Sequence, residues 1–197
     1  MAKNGKVKKQ EPVRYTPAGE AAWVKVHVPD TTFKDGGEFA VDLFLSPKDA
    51  KETIAIYDKM VADTVDNEGG KPSQDVQYKL VKDCTKKYLD GLSSTGVDID
   101  PTWYLLKFRV DHEVNPKNGK PFTNSVLVLD ANNKPLEHDP SNAIGNGSTL
   151  KVAYQPYGWA VSGKVGCKMR LKGVQVVDHQ SYSTSGVSFE TEEDIAF

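Results

Sequence analysis

The stretch Ser148-Thr149-Leu150-Lys151-Val152-Ala153-Tyr154-Gln155-Pro156-Tyr157-Gly158-Trp159 decides the fold. Leu150, Val152 and Tyr154 recur at every second position with Lys151 between them, the pattern of a strand with one face in a core. The strand is expected over 148–157, with Tyr157 exposed in a loop between Pro156 and Gly158. Gly145-Asn146-Gly147-Ser148, just before it, has no helix after it and no phosphate-loop lysine, so it reads as a tight loop entering the strand.

The same period continues on both sides. In 166–177, Cys167, Met169 and Leu171 point one way and Lys168, Arg170 and Lys172 the other. The apolar phase changes at Gly173, which predicts a bulge. Over 104–114, Tyr104, Leu106, Phe108 and Val110 share a face while Lys107 and Arg109 take the opposite one, and 115–119 is a hairpin turn by composition. Further strands are expected over 22–28, 38–45 and 124–129. Ser46-Pro47 opens a helix to about Thr64, with a hydroxyl cap followed by a proline at the first helical position. A second helix is expected over 74–90, and 93–101 is loop.

Two strands, a helical insertion at 47–90 and then several strands make a small barrel or curled sheet in one domain over 20–181. An oligonucleotide-binding (OB-fold) Greek-key barrel has this size and tolerates helices between its strands, although periodicity alone fits other small barrels equally well. Residues 1–19 read as a mobile basic arm and 182–197 as a flexible acidic tail.

Composition narrows the function classes. The 197 residues are 38% hydrophobic and 26% charged, ordinary values for a soluble protein. No apolar run has the length of a membrane span, and Lys3, Lys6, Lys8 and Lys9 precede no apolar signal region. Cys84 and Cys167 are too few for a disulfide framework or a zinc cluster, and a cytoplasmic setting is expected. His27, His112, His138 and His179 lack metal-ligand spacing, and Asp98 and Asp100 read as a turn device. With no nucleophile–base pair, no enzyme activity, cofactor or metal is expected.

The net charge of −2 hides an asymmetry. Residues 1–14 hold five bases against Glu11, 103–175 hold ten bases against five acids, and 187–197 hold four acids and no base. Lys107, Arg109, Lys151, Lys168 and Arg170 occupy outward strand positions, and Tyr154, Tyr157 and Trp159 cluster at the end of one strand. Single-stranded nucleic acid needs both features, cations along its backbone and flat rings on which bases stack. Tyr154 and Trp159 fit a core role equally well. The tail residues Glu192, Glu193, Asp194, Ile195 and Phe197 read as a linear peptide for a basic, partly apolar groove, in this chain or a partner. A non-catalytic interaction barrel with a docking tail is the alternative reading.

The chain resembles the single-stranded DNA-binding protein of phage replisomes, the type made by T-odd coliphages and related podoviruses. The resemblance spans about 19–181. It rests on Val41-Asp42-Leu43 leading into Ser46-Pro47-Lys48-Asp49, on Leu106-Lys107-Phe108-Arg109, and on Val126-Leu127-Val128-Leu129-Asp130. Ile144-Gly145-Asn146-Gly147-Ser148-Thr149-Leu150-Lys151-Val152 followed by Pro156-Tyr157-Gly158-Trp159 is its most specific part. The resemblance implies an OB-fold, sequence-independent binding of single-stranded DNA in replication, recombination and repair, and a homodimer. It also implies a tail that docks on phage DNA polymerase or helicase–primase and competes with DNA. It gives Tyr157 a stacking role, and Arg109 and Lys151 phosphate roles. The chain departs from the family in its shorter acidic region and in Asp111 and Glu113 at the end of the central strand.

Overall fold

The computed structural model describes residues 11–116 and 119–181. In chain order the elements are β1 (Arg14–Tyr15), β2 (Gly19–Asp30), β3 (Glu38–Leu45), α1 (Pro47–Glu68), β4 (Lys71–Pro72), β5 (Tyr78–Leu80), α2 (Lys86–Ser93), β6 (Tyr104–Asp111), β7 (Glu113–Val114), β8 (Phe122–Thr123), β9 (Leu127–Leu129), β10 (Thr149–Val161) and β11 (Lys164–Asp178).

The long strands close on themselves. β10 pairs with β2, β2 with β3, β3 with β6, β6 with β11, and β11 with β10 again. All of these pairings are antiparallel except β6–β11, which is parallel and carries the register Arg170↔Arg109. Inside the ring lie Val24, Val26, Val41, Leu43, Leu106, Phe108, Leu150, Val152, Tyr154, Met169 and Leu171, the apolar phases of five strands. A second cluster sits on the outer face, where Leu92 of α2 with Val97 and Ile99 covers Ala22, Phe44 and Leu105. The sheet is therefore buried on both faces around β3, which is why β3 is apolar at nearly every position.

α1 begins as its sequence predicts: the Ser46 hydroxyl accepts a hydrogen bond from the Asp49 N–H (3.2 Å) behind Pro47. It runs one turn past the expected end, to Glu68, and Gly69 follows with φ +69°. It lies so close to β10 that a Cβ on Gly158 would meet the Thr64 hydroxyl at 2.1 Å. The Lys172–Gly173 irregularity falls where the changed phase predicts it, since Ala153 faces Gly173 but Tyr154 faces Leu171.

Five expectations are corrected. The helix over 74–90 is instead β5, a 3-10 turn at Val81–Asp83 and the short α2. Val76, Tyr78 and Leu80 alternate as strand residues do, and β5 finds its ladder on β6 while Thr85 caps α2 only later. Tyr157 is not in a loop: β10 continues to Val161 and turns through Ser162-Gly163, whose φ values of 50° and 76° suit a two-residue hairpin. Residues 11–19 are not a free arm. β1 pairs with β10, and the buried Thr16 accepts the Val152 N–H at 2.9 Å. The strand expected over 124–129 is confined to β9, and β2 starts at Gly19 with a bulge at Trp23 (φ 52°). The tail lies outside the described residues.

Candidate nucleic-acid interface

On β11 the residues between Cys167, Met169 and Leu171 face outward, so Lys168 and Arg170 lie on the outer surface of the ring. The antiparallel register sets Tyr157 opposite Lys168 and Gln155 opposite Arg170. Arg170 stacks on Tyr157, its guanidinium carbon 3.7 Å from the ring centroid. Tyr157 is still 37% exposed, so that one face of the ring is covered by a cation while part of it meets solvent. Trp159, the next residue on that face, lies across Gly166. A Cβ there would come within 2.5 Å of the indole, so only glycine lets the ring settle flat on the strand. Trp159, Tyr157, Lys168 and Arg170 thus form a single outer strip of rings and cations.

Arg109 continues the strip across the parallel pair but is differently engaged. Its guanidinium pairs with Asp42, whose side chain is 2% exposed, and with Glu38 (3.7 Å). It also donates to the carbonyls of Val41 (2.8 Å) and Phe108 (2.9 Å). Most of its donors are thus spent within the fold. The Tyr88 hydroxyl donates to the other Asp42 oxygen (2.7 Å), and Lys107 sits 5.9 Å above the Tyr88 ring. Burial, with the Asp42 charge second, raises the Tyr88 phenol far above its ordinary range, so it stays a neutral donor. Trp23 meets Tyr88 edge-on at 6.4 Å, its bulge held by its N–H donating to Asn146 Oδ1 (2.8 Å).

Two other expected residues are not brought to the strip. Tyr154 is 0% exposed and packs on Phe108 (5.2 Å between centroids), so its ring has no face for a base. It shares the inward phase of Leu150 and Val152, whereas Tyr157, three residues on, takes the opposite one. Lys151 is exposed but pairs with Gln175, six residues along β10 from Tyr157, or about 20 Å of strand. Asp111, one of the two acids that set the chain apart from the resembling family, is paired with Lys34 (2.6 Å). Sequence reasoning missed Tyr88, Asp42 and Glu38. Their only local signal was the unusual acid at Asp42 inside an apolar strand.

Among solved structures, gp2.5, a single-stranded DNA-binding protein encoded by bacteriophage T7, superposes with a TM-score of 0.60 at 21% identity, covering 91% of this chain and 99% of that one. The chain has the fold of a phage single-stranded DNA-binding protein. The single-stranded DNA-binding protein of bacteriophage Enc34, solved in complex with single-stranded DNA, also matches at 0.60, with 12% identity over 88% of this chain and 98% of that one. A C-terminal truncation of the Enc34 protein matches at 0.60 and 11%, covering 86% of this chain and 87% of that one. No protein-family model matches this chain, and neither does any curated protein sequence.

Proposed function

We propose that this chain binds single-stranded DNA without sequence preference, along the outer strip of Trp159, Tyr157, Lys168 and Arg170. The observation that carries the reading is the Arg170–Tyr157 stack opposite Lys168: a flat ring for an unpaired base, with two cations at phosphate reach. Stacking on a ring face and charge on the backbone are available from every nucleotide, which is why the reading is one of sequence-independent binding. The likeness to phage proteins of this function, one of them holding single-stranded DNA, supports it.

The ring order β2–β3–β6–β11–β10, with β6 and β11 parallel, supports the finer reading of an OB-fold barrel with α1 inserted after its second strand. On this reading the protein coats single strands in phage replication, recombination and repair, in the cytoplasm of an infected bacterium and as a homodimer. Its acidic tail, through Ile195 and Phe197, tethers DNA polymerase or helicase–primase.

The test is binding of oligo(dT) against duplex DNA of equal length over a series of salt concentrations. The affinity for oligo(dT) should exceed that for duplex and fall as log K against log salt, by about 0.7 per phosphate neutralised. A preference for duplex, or binding indifferent to salt, would sink the reading. Removing residues 189–197 should tighten binding if the tail competes for the strip, and unchanged affinity would leave it a tether alone.

A further inference from the structure

Phe33 is 94% exposed, the most exposed large apolar side chain among the described residues, and it stands at the tip of the hairpin joining β2 to β3. A solvent turn has no use for a ring, and this turn is not loose. The Asp30 carboxylate accepts the Thr32 N–H (2.8 Å), and the Lys34 carbonyl accepts the Gly37 N–H (2.8 Å). Gly37 takes φ +71°, against Pro29. On the far side, the His112 and Glu113 N–H groups donate to the carbonyls of Gly37 (2.9 Å) and Gly36 (3.0 Å). The hairpin therefore holds Phe33 in solvent on a fixed base, and a ring so held loses little freedom when something stacks on it.

The tip is joined to the strip described above by an unbroken run of contacts. Tyr157 stacks on Arg170, Arg170 neighbours Arg109, and Arg109 pairs with Glu38. Glu38 faces Asp111 across the ladder, and Asp111 pairs with Lys34, the residue after Phe33. The carboxylates on this route are ion-paired, Asp42 and Glu38 with the one Arg109 and Asp111 with Lys34, which lowers their repulsion of a polyanion. Along the strands the step from the Tyr157 row to the Asp111 row is four residues, or about 13 Å. That corresponds to about four stacked nucleotides.

We propose that Phe33 is a second stacking post for the same single strand, seating a base at the far end of a path that starts at Tyr157. The proposal rests on the DNA-binding reading and deepens it, by fixing the direction of the strand along β6 and β11 and the length of chain engaged.

The test compares the full chain with its Phe33→Ala, Phe33→Leu and Phe33→Trp variants, and with Tyr157→Ala, for binding to a 20-nucleotide oligo(dT). Melting temperature and solution mass are measured alongside. Phe33→Ala should weaken binding roughly 5- to 150-fold, the range set by loss of one base–aromatic stack. The salt slope should not change, because no charge is lost. Phe33→Trp should bind at least as tightly as the parent, and Phe33→Leu should be as weak as the alanine variant. Equal affinity for Phe33→Ala and parent, rescue by leucine, or a changed mass would each overturn the proposal, the last by marking the tip as a protein contact. If Tyr157→Ala weakens binding while Phe33→Ala does not, only this inference falls. If the parent itself ignores oligo(dT), the DNA-binding reading falls with it.

Discussion

Arg170 lies against the ring of Tyr157 with its guanidinium carbon 3.7 Å from the centroid, while Lys168 faces Tyr157 from the same neighbouring strand. One cation is thus bound to the ring and the other stands free beside it. Their contributions to DNA binding should separate. Tyr157→Ala should cost about 1–3 kcal/mol of affinity for oligo(dT) and leave the salt slope intact. Lys168→Ala should lower the slope by about 0.7 if it neutralises one phosphate. Titrations at four salt concentrations distinguish the two, and the same slope change in both variants would contradict this division of labour.

Arg109 should behave as a residue of the fold. Its removal leaves the Asp42 carboxylate, 2% exposed, with only the Tyr88 hydroxyl as a partner. Arg109→Ala is expected to destabilise by about 3 kcal/mol, the low end for one partner lost from a buried pair, since the arginine itself keeps some solvent contact. Adding Asp42→Asn should recover part of the loss. Denaturant melts of the two single variants and the double variant measure it, and strictly additive losses would show that the pair is not coupled.

Gly166 should be intolerant of any side chain. Alanine there places a carbon 2.5 Å from the Trp159 indole, so that the ring must lift from the strand. Gly166→Ala is expected to cost about 1–3 kcal/mol of stability and to shift Trp159 emission to the red. A spectrum matching the parent, recorded in a background lacking Trp23 and Trp103, would mean the indole does not rest on the glycine.

Glu20 supplies a pH dependence. Burial, with the Asp98 charge second, raises its carboxyl above the ordinary 4.5. The folded chain thus holds this proton more tightly than the unfolded chain does. Glu20 consequently opposes folding as pH rises from 4.5 through its raised folded value, and the penalty vanishes at lower pH, where both states are protonated. Glu20→Gln should melt higher than the parent at about pH 7 and level with it at about pH 4. A gap of the same size at both values would remove the ionisation from the explanation.

What was legible in the sequence followed local period. β10 and β11 show themselves because Leu150, Val152 and Tyr154, and Cys167, Met169 and Leu171, repeat at two-residue spacing against lysines and arginines. The same parity assigns Tyr154 to the core and Tyr157 to the surface, a distinction the sequence contained and the clustering of aromatics obscured. The 74–90 segment was not legible, because β5 is three residues long and owes its conformation to a ladder on β6. Nor was the state of Arg109: its outward position could be read, but its partner Asp42 stands 67 residues earlier and meets it only once β3 lies beside β6. Phe33 was equally silent, since one phenylalanine in a polar turn becomes informative only when the turn is seen to be rigid.

The parallel register of Arg170 and Arg109 sets two arginines side by side where the ring of strands meets itself. Left alone, two like charges at a seam would push it open. Asp42 and Glu38 hold one of them from beneath, which lets the strands join and leaves the other arginine to lie on the Tyr157 ring. A bound phosphate would lie across this same seam. On the proposed reading a strand of DNA would therefore act as a clasp on the ring of strands, and amide hydrogen exchange around 168–172 should slow more on binding than at any ligand-remote strand.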